Sequence, residues 1–388
     1  MTDRAWYLAG EAMKVSVTDE NALIAYAELC DTHGLAAGTM ISLKGGNGEG
    51  IIELPSDLHS GYYVLSVYTR GKATVSQQLV AVINPLHRSA DDDIEWVEAP
   101  LSSPEGDTNV MLQGIEAPSG AVWGAPETEG HIIKARVKNV YEGHAFRDNE
   151  IRPSLSIVGK QIHYFEGKMV NDSTAVFYTY GIHGRQPLVL SALSSTGASL
   201  PIEMISPFAA LLPRKLPHLV FHYKRSEVEA RSIDMQRHQI SKGGNDNQAA
   251  VVPLDYDDTV FGIKPDLTYN LDEYRQFLTI REVLLEYVMC VKNTTTDSIS
   301  RLIVRRMEET YNSSLPTLVL IDGMPVNDIE RLLRYDARRI HYINIYGGQY
   351  TFGNGIYNGI LSFVTRSGQL TNYPTEPNMQ YLVYDFPE

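Results

Sequence analysis

The stretch PTLVLIDGMPVNDIERLLRYDARRIHYINIYGGQYTFGNGIYNGILSFVTRSG, residues 316–368, decides the reading of the fold. It opens with a β-branched apolar run, Thr317 to Ile321, stopped by Asp322-Gly323. That dipeptide between two apolar segments signals a tight turn, because Gly tolerates positive φ and Asp bonds its own backbone. Asn327-Asp328 supplies an N-cap for a short helix with Ile329, Leu332 and Leu333 at helical spacing. Ile340 to Ile345 reads as a second strand. Gly347, Gly348, Gly353, Gly355 and Gly359 then interrupt an aromatic segment, and a last strand runs from Gly359 to Thr365. The order is strand, turn, helix, strand, glycine/aromatic loop, strand.

Three words in that order, Leu318 to Val326, Arg338 to Tyr346 and Phe352 to Gly368, resemble the plug domain of TonB-dependent outer-membrane receptors. The resemblance implies that Asp322, Gly323, Pro325, Tyr346, Tyr350, Gly353, Tyr357 and Gly359 form its motif, in a structural or partner-binding role. In that family a barrel of several hundred residues follows the plug, whereas here Glu388 lies 20 residues beyond Gly368. The expectation is therefore a plug-like domain that is not itself a channel.

Outward from this stretch, 388 residues correspond to two to four domains at ~150 residues each. With 23 Tyr, 30 Gly and 19 Pro, the composition favours β-rich, turn-dense architecture. A net charge of −14 argues against nucleic acid, whose phosphates need a basic footprint, and against anionic lipid. No apolar run approaches the ~20 residues of a membrane-spanning helix. The two cysteines, Cys30 and Cys290, fall in different expected domains and read as buried free thiols. Met1-Thr2-Asp3-Arg4 already reads as domain sequence, and the expectation is a processed chain whose leader has been removed.

Residues 1–86 read as one β-sandwich. Met13, Val15 and Val17 alternate with polar residues at period two. Leu23 to Cys30 fits helix or strand by pattern, and its position between strands favours strand. Lys44 to Glu49 reads as a glycine-rich hairpin. Asp3-Arg4, Tyr7 to Glu11 and Ser60 to Tyr68 resemble a macroglobulin-like sandwich. Residues 87–128, with Asp91-Asp92-Asp93, read as a linker or extended meander. Residues 129–206 carry strands at 132–137, 153–159, 175–180 and 187–193, resembling an immunoglobulin-like, carboxypeptidase-regulatory-like sandwich. Residues 207–269 form a connecting region with a strand at Leu219 to Tyr223, a helix at Ser226 to Gln239 and a polar loop at Ser241 to Ala250. Residues 270–388 form the plug-like α+β domain, opening with an amphipathic helix of Phe277, Ile280, Leu284, Tyr287 and Val288 and a strand at Ser300 to Met307. The expected fold class is mainly β and multidomain: tandem immunoglobulin-like sandwiches followed by the α+β domain.

No catalytic constellation emerges. Gly46 to Gly50 superficially matches a phosphate loop, but Ile51 to Leu54 continues a strand where a helix N-terminus is required. His218 and His222 sit at i, i+4, yet on a strand that spacing separates them by ~13 Å. Asp91 to Asp93 and Asp255, Asp257 and Asp258 read as surface charge, and Asp272 and Glu273 as first-turn carboxylates. Cys290 falls on or near a buried helix face. Tyr342, Tyr346, Tyr350, Phe352 and Tyr357 suit a recognition surface or, more simply, core packing. No cofactor and no metal is expected.

Taken together, the resemblance is to barrel-less macroglobulin-plus-plug proteins of Bacteroidetes. It implies an exported, non-catalytic binding or scaffolding protein, periplasmic or outer-membrane associated, whose plug-like domain contacts an outer-membrane or TonB-system partner. The alternative is an accessory that captures a glycan or peptide. Exposed coplanar aromatics would favour capture; an unpaired strand edge would favour protein partnership.

Overall fold

The computed structural model describes residues 2–72, 75–98, 124–138, 150–158, 162–246, 262–296, 299–305, 315–368, 370 and 373–387. They divide into two units, one from within 1–131, 206–251 and 387–388, the other from within 132–205 and 252–386.

The first unit is built on β3 (Ile24–Cys30), whose seven residues are all buried. It lies in a five-stranded sheet with β1 (Trp6–Leu8), β4 (Leu35–Ser42), β6 (Gly61–Thr69) and β7 (Val75–Ile83), in the order β1-β7-β6-β3-β4. β2 (Ala12–Thr18) and β5 (Asn47–Glu53) pair antiparallel as a second layer. Ala25, Ala27 and Leu29 pack beneath Met13, Val15 and Ile52 of that layer. Ile24 and Tyr26 point the other way, onto Phe208 and Leu211. A strand covered on both faces loses the polar alternation of a half-exposed one, which is why its pattern fits a helix equally well.

The glycine-rich hairpin at 44–49 differs from expectation. Lys44 and Asn47 do make a tight turn, but β4 stays beside β3 while β5 crosses to β2. Gly48 and Gly50 serve close approach: a Cβ there would sit 2.4 Å from the Ser42 carbonyl and 2.5 Å from Ile41. Within the stretch expected as linker, β8 (Ile94–Glu98) is a strand; residues 99–123 lie outside the described residues.

The second unit begins with β9 (His131–Val137), β10 (Ile151–Ile157), β11 (His163–Glu166), β12 (Lys168–Met169), β13 (Thr174–Thr179), β14 (Gly184–Ser194) and β15 (Ile202–Ile205). Two sheets result, β12-β13-β9-β15 and one containing β11-β10-β14. Their inward residues, among them Ala135, Leu155, Phe177 and Leu190, are fully buried. This is a β-sandwich.

The chain then re-enters the first unit. β16 (Leu219–Tyr223) pairs parallel with β8, and α1 (Arg225–Asp246) follows. Leu219, Phe221, Val228 and Met235 cover the outer sheet face of Leu8, Tyr62, Val64, Leu79 and Ile83. The helix runs on through Asp246, into residues expected as loop.

Back in the second unit come β17 (Leu267–Asn270), α2 (Ile280–Glu286), β18 (Val291–Thr296), β19 (Ile299–Val304), β20 (Leu318–Ile321), β21 (Met324–Pro325), α3 (Ile329–Arg334), β22 (Ile340–Phe352), β23 (Gly355–Thr365) and β24 (Gln380–Phe386). The sheet order is β17-β22-β23-β20-β21, and α2 and α3 share the core on one of its faces. The helix expected from Leu271 through Val288 is shorter: Leu271–Glu273 is a separate 3-10 turn, and Thr279 and Glu282 form a capping box that starts the helix at Ile280. Phe277 packs from before the cap and Val288 from after the helix. β24 departs from the α+β sheet: it pairs antiparallel with β14 and completes the order β11-β10-β14-β24. The chain is thus mainly β and multidomain, as its patterning indicates.

Candidate functional site

The eight motif residues fall into three places. At the β20–β21 turn, Asp322 and Gly323 adopt φ of 46° and 89°. The turn is the expected Asp-Gly bend, but the Asp322 carboxylate is buried rather than solvated. It accepts hydrogen bonds from the Thr365 and Leu370 backbone N–H groups, both at 2.7 Å, and from the Thr365 hydroxyl. Burial raises its pKa against the pull of those three donors. A Cβ on Gly323 would stand 2.9 Å from Ile162 and 3.0 Å from the Ile157 carbonyl, so the turn abuts the end of β10. Pro325 pairs with Leu320 in the short β21 ladder.

The second place gathers Tyr346, Tyr350, Gly353 and Tyr357 against β11. Tyr346 is fully buried, Tyr357 nearly so, and both join Leu318, Leu320, Ile360 and Tyr164 in one apolar cluster. Tyr350 is half-buried and stacks near Phe352 at 6.5 Å. Within the cluster lies a polar knot. Arg152 makes a bidentate bond to Glu166, Nε to Oε1 at 3.0 Å and Nη2 to Oε2 at 2.9 Å. Tyr357 donates its hydroxyl to Glu166, and the Tyr164 and Tyr357 hydroxyls are 2.6 Å apart. The Arg152 guanidinium lies 5.0 Å from the Tyr357 ring centroid. Burial, with the neighbouring Glu166 carboxylate, pushes both phenol pKa values up. Burial also opposes the Arg152 charge, but Glu166 outweighs it and raises that pKa. Two protonated phenols and a paired guanidinium around a saturated carboxylate form a lock, with no free nucleophile or base.

Glycine makes the lock possible. Gly353 has φ of 59° and a Cβ there would meet the Glu166 carbonyl at 2.3 Å; one on Gly355 would meet Glu166 Oε2 at 2.1 Å. In the third place Gly359, φ 83°, lets β23 pass β19 at Val304. The aromatic segment therefore packs core, and its glycines serve close approach.

Arg152, Tyr164 and Glu166 had no signal in the local pattern: each sits in strand sequence, and Tyr357, which ties Tyr164 and Glu166 together, lies 193 and 191 positions from them. The other residues weighed in the sequence are accounted for by structure. Asp92 caps the Ser60 and Ser89 backbone N–H groups, and Asp93 pairs with His218. Asp272 pairs with Arg366. Cys30 is buried and Cys290 half-buried, both free. Asp255, Asp257 and Asp258 lie outside the described residues. An open depression beside α3 is lined by Asp328, Glu330, Arg331, Arg334, Asp336 and Arg339. Its charges pair with one another, Arg331 with Asp328 and Arg339 with Asp336. Among the described residues no His/Cys/Asp/Glu group is arranged for a metal ion, and no helix is long and apolar enough to cross a membrane.

Among the exposed large apolar side chains of the described residues, two groups lie close together in sequence. Leu278, Leu285 and Met289 are 63%, 74% and 79% exposed, and β18 begins two residues after Met289. Tyr178 and Tyr180 are 63% and 69% exposed on and just after β13. β18 was not expected: its sequence VKNTTT is polar, yet its threonines are β-branched, and it pairs with β19 over six residues. Among the described residues its other edge has no strand partner.

The fold and this surface define a mainly β, multidomain chain with sandwiches and one α+β part. No family model and no curated protein matches it. Among solved structures it is similar to the BSP domain of a biofilm associated protein, at 9% identity over 56% of this chain and 30% of that one, with a TM-score of 0.17. It is also similar to trypsin-activated alpha-2-macroglobulin from Escherichia coli, at 12% identity over 53% of this chain and 15% of that one, TM-score 0.19. The chain thus spans less than a third of either structure's length. Superpositions this loose carry nothing about function, and the sandwich assignment rests on the sheets themselves.

Proposed function

We propose that this chain is a non-catalytic binding or scaffolding protein of the bacterial cell envelope, whose plug-like α+β part contacts an outer-membrane or TonB-system partner. The observation that carries the reading is that, among the described residues, one edge of β18 has no strand partner, while Met289, two residues before that strand, and Leu285 on α2 are exposed. An unpaired strand edge offers main-chain donors and acceptors to an added strand, and adjacent apolar side chains give that strand something to cover. The plug resemblance of residues 316–368 supplies the expected compartment, and with it the Bacteroidetes assignment.

The test is a photo-cross-linking capture from envelope extract, with the full chain carrying the cross-linker at Lys292. Leu285→Glu/Met289→Glu in the same chain is the control. Recovery of an outer-membrane or TonB-system protein that the control loses supports the reading. Identical recoveries from both overturn it.

A second reading is favoured by Tyr178 and Tyr180, the latter edge-on to Phe165 at 5.4 Å. Exposed aromatic faces suit sugar rings, and this reading makes the chain an accessory for glycan capture. Tyr178→Ala/Tyr180→Ala would then abolish retention on a glycan array and leave the Lys292 cross-link unchanged.

A further inference from the structure

We infer that β24 is an exchangeable strand, and that two copies of this chain trade it to form an interlocked dimer. The seat of β24 is built far away in sequence. Gly184 to Leu190 of β14 pair with Gln380 to Phe386 residue for residue. Leu188, Val189 and Leu190 beneath it are buried, as are Tyr384 and Phe386 of the strand itself. With β24 removed, β14 becomes an open sheet edge lined with apolar residues, a ready template for another strand.

Among its described residues, the connection to β24 is fastened at several points. Leu370 N–H is held by Asp322, and the Thr375 carbonyl accepts from Arg331 at 2.7 Å. Glu376 accepts from the Asn327 and Asp328 backbone N–H groups at 3.0 and 3.1 Å and from the Tyr373 hydroxyl. Past Glu376 the fastening changes sides. Asn378 and Pro377 contact Ser199 and Ile202 of the sandwich through bonds of 3.0 to 3.3 Å. The joint is therefore Pro377-Asn378-Met379; opening it frees β24 while Asp322 and the Glu376 carboxylate keep their partners, and only the Glu376 N–H gives up its bond to the Tyr381 hydroxyl of the strand.

That joint is strained in the closed form. Asn378 has φ of 68°, a left-handed conformation that asparagine adopts at less cost than other side-chain-bearing residues but at more cost than glycine. Extending the joint relieves it, and short strained hinges favour exchange between protomers. The occupant that fits the vacated edge is the same strand from a second copy. It restores every pairing, including Asp385 opposite Arg185, so the closed and exchanged forms differ only at the joint and in the cost of association. The inference does not rest on the envelope reading.

The test uses the cross-strand pair at the exposed positions 185 and 385. Full-length chains carrying Arg185→Cys alone and Asp385→Cys alone are mixed at high concentration and oxidised. The 185–385 link is read by peptide mass, so Cys30 and Cys290 stay in place. The expected result is an interchain 185–385 disulfide in a dimer seen by light scattering. Asn378→Gly, which removes the strain, should lower the dimer fraction several-fold. Asn378→Pro, which forbids the closed joint, should raise it. A control chain carrying both Arg185→Cys and Asp385→Cys that forms the 185–385 link only within itself, with the mixed single variants monomeric at every concentration, overturns the inference.

Discussion

Tyr357 donates its phenolic hydrogen to Glu166 across 191 positions of sequence, and the carboxylate it reaches is already gripped by Arg152. This bond fastens the glycine/aromatic loop of the α+β part to a strand of the sandwich in the same unit. Tyr357→Phe keeps the ring and removes the donor from Glu166 and the acceptor from the Tyr164 hydroxyl. A hydrogen bond to a buried charged group is worth about 1.5–3 kcal/mol, so the variant should unfold that much more easily in urea. An unchanged midpoint would show the lock contributes nothing.

Two glycines in this loop separate strain from space. Gly353→Ala places a Cβ against the Glu166 carbonyl at a φ that only glycine adopts freely. Gly348→Ala meets the outer end of the Tyr350 ring, which can move, at an ordinary φ. Gly353→Ala should cost at least the ~1–3 kcal/mol of a strained backbone, and Gly348→Ala about 1 kcal/mol or less. Thermal melts of both variants by circular dichroism check the ranking.

The start of α2 depends on one side chain. Thr279 accepts from the Glu282 N–H at 3.3 Å, and Glu282 returns a bond to the Thr279 N–H at 3.0 Å. Thr279→Ala breaks the box at a cost of about 1 kcal/mol. Because the helix is only seven residues long, amide exchange at Glu282 and Val283 should speed up well before that at Leu320.

How much of this could be read beforehand depended on how far apart the partners lie. The Asp322-Gly323 turn, the Asp328 cap of α3 and the strand at Leu219 to Tyr223 follow from neighbouring residues, and each is where local chemistry places it. The length of α2 was misjudged because apolar spacing ran through a cap that only the Thr279–Glu282 pairing reveals. β18 was missed because an edge strand of threonines lacks the apolar alternation that announces strands. The Arg152–Glu166–Tyr357 knot and the return of β24 to β14 were out of reach, since nothing local to either stretch encodes its distant partner. The exposed Leu285 and Met289 were legible as letters, but their exposure emerged only with the packing of Val283 and Leu284 beneath.

Asp322 should leave a signature in the pH dependence of stability. Its carboxyl has an ordinary value of 3.8, and burial raises it in the fold. A group that holds its proton more tightly when folded stabilises the fold fully below its unfolded pKa. That contribution is lost as pH rises through the folded pKa, because ionising the buried carboxyl costs more than ionising the exposed one. Exposed carboxylates with lowered values, such as Asp272 and Glu330, act in the opposite direction in any variant that retains them. The difference between the wild type and Asp322→Asn therefore isolates the term. Urea midpoints from pH 4 upward should show the wild type losing ground relative to Asp322→Asn, then a constant gap above the raised pKa. A gap that does not change with pH would mean that Asp322 ionises as easily in the fold as in the unfolded chain, and that its bonds to Thr365 and Leu370 fully offset its burial.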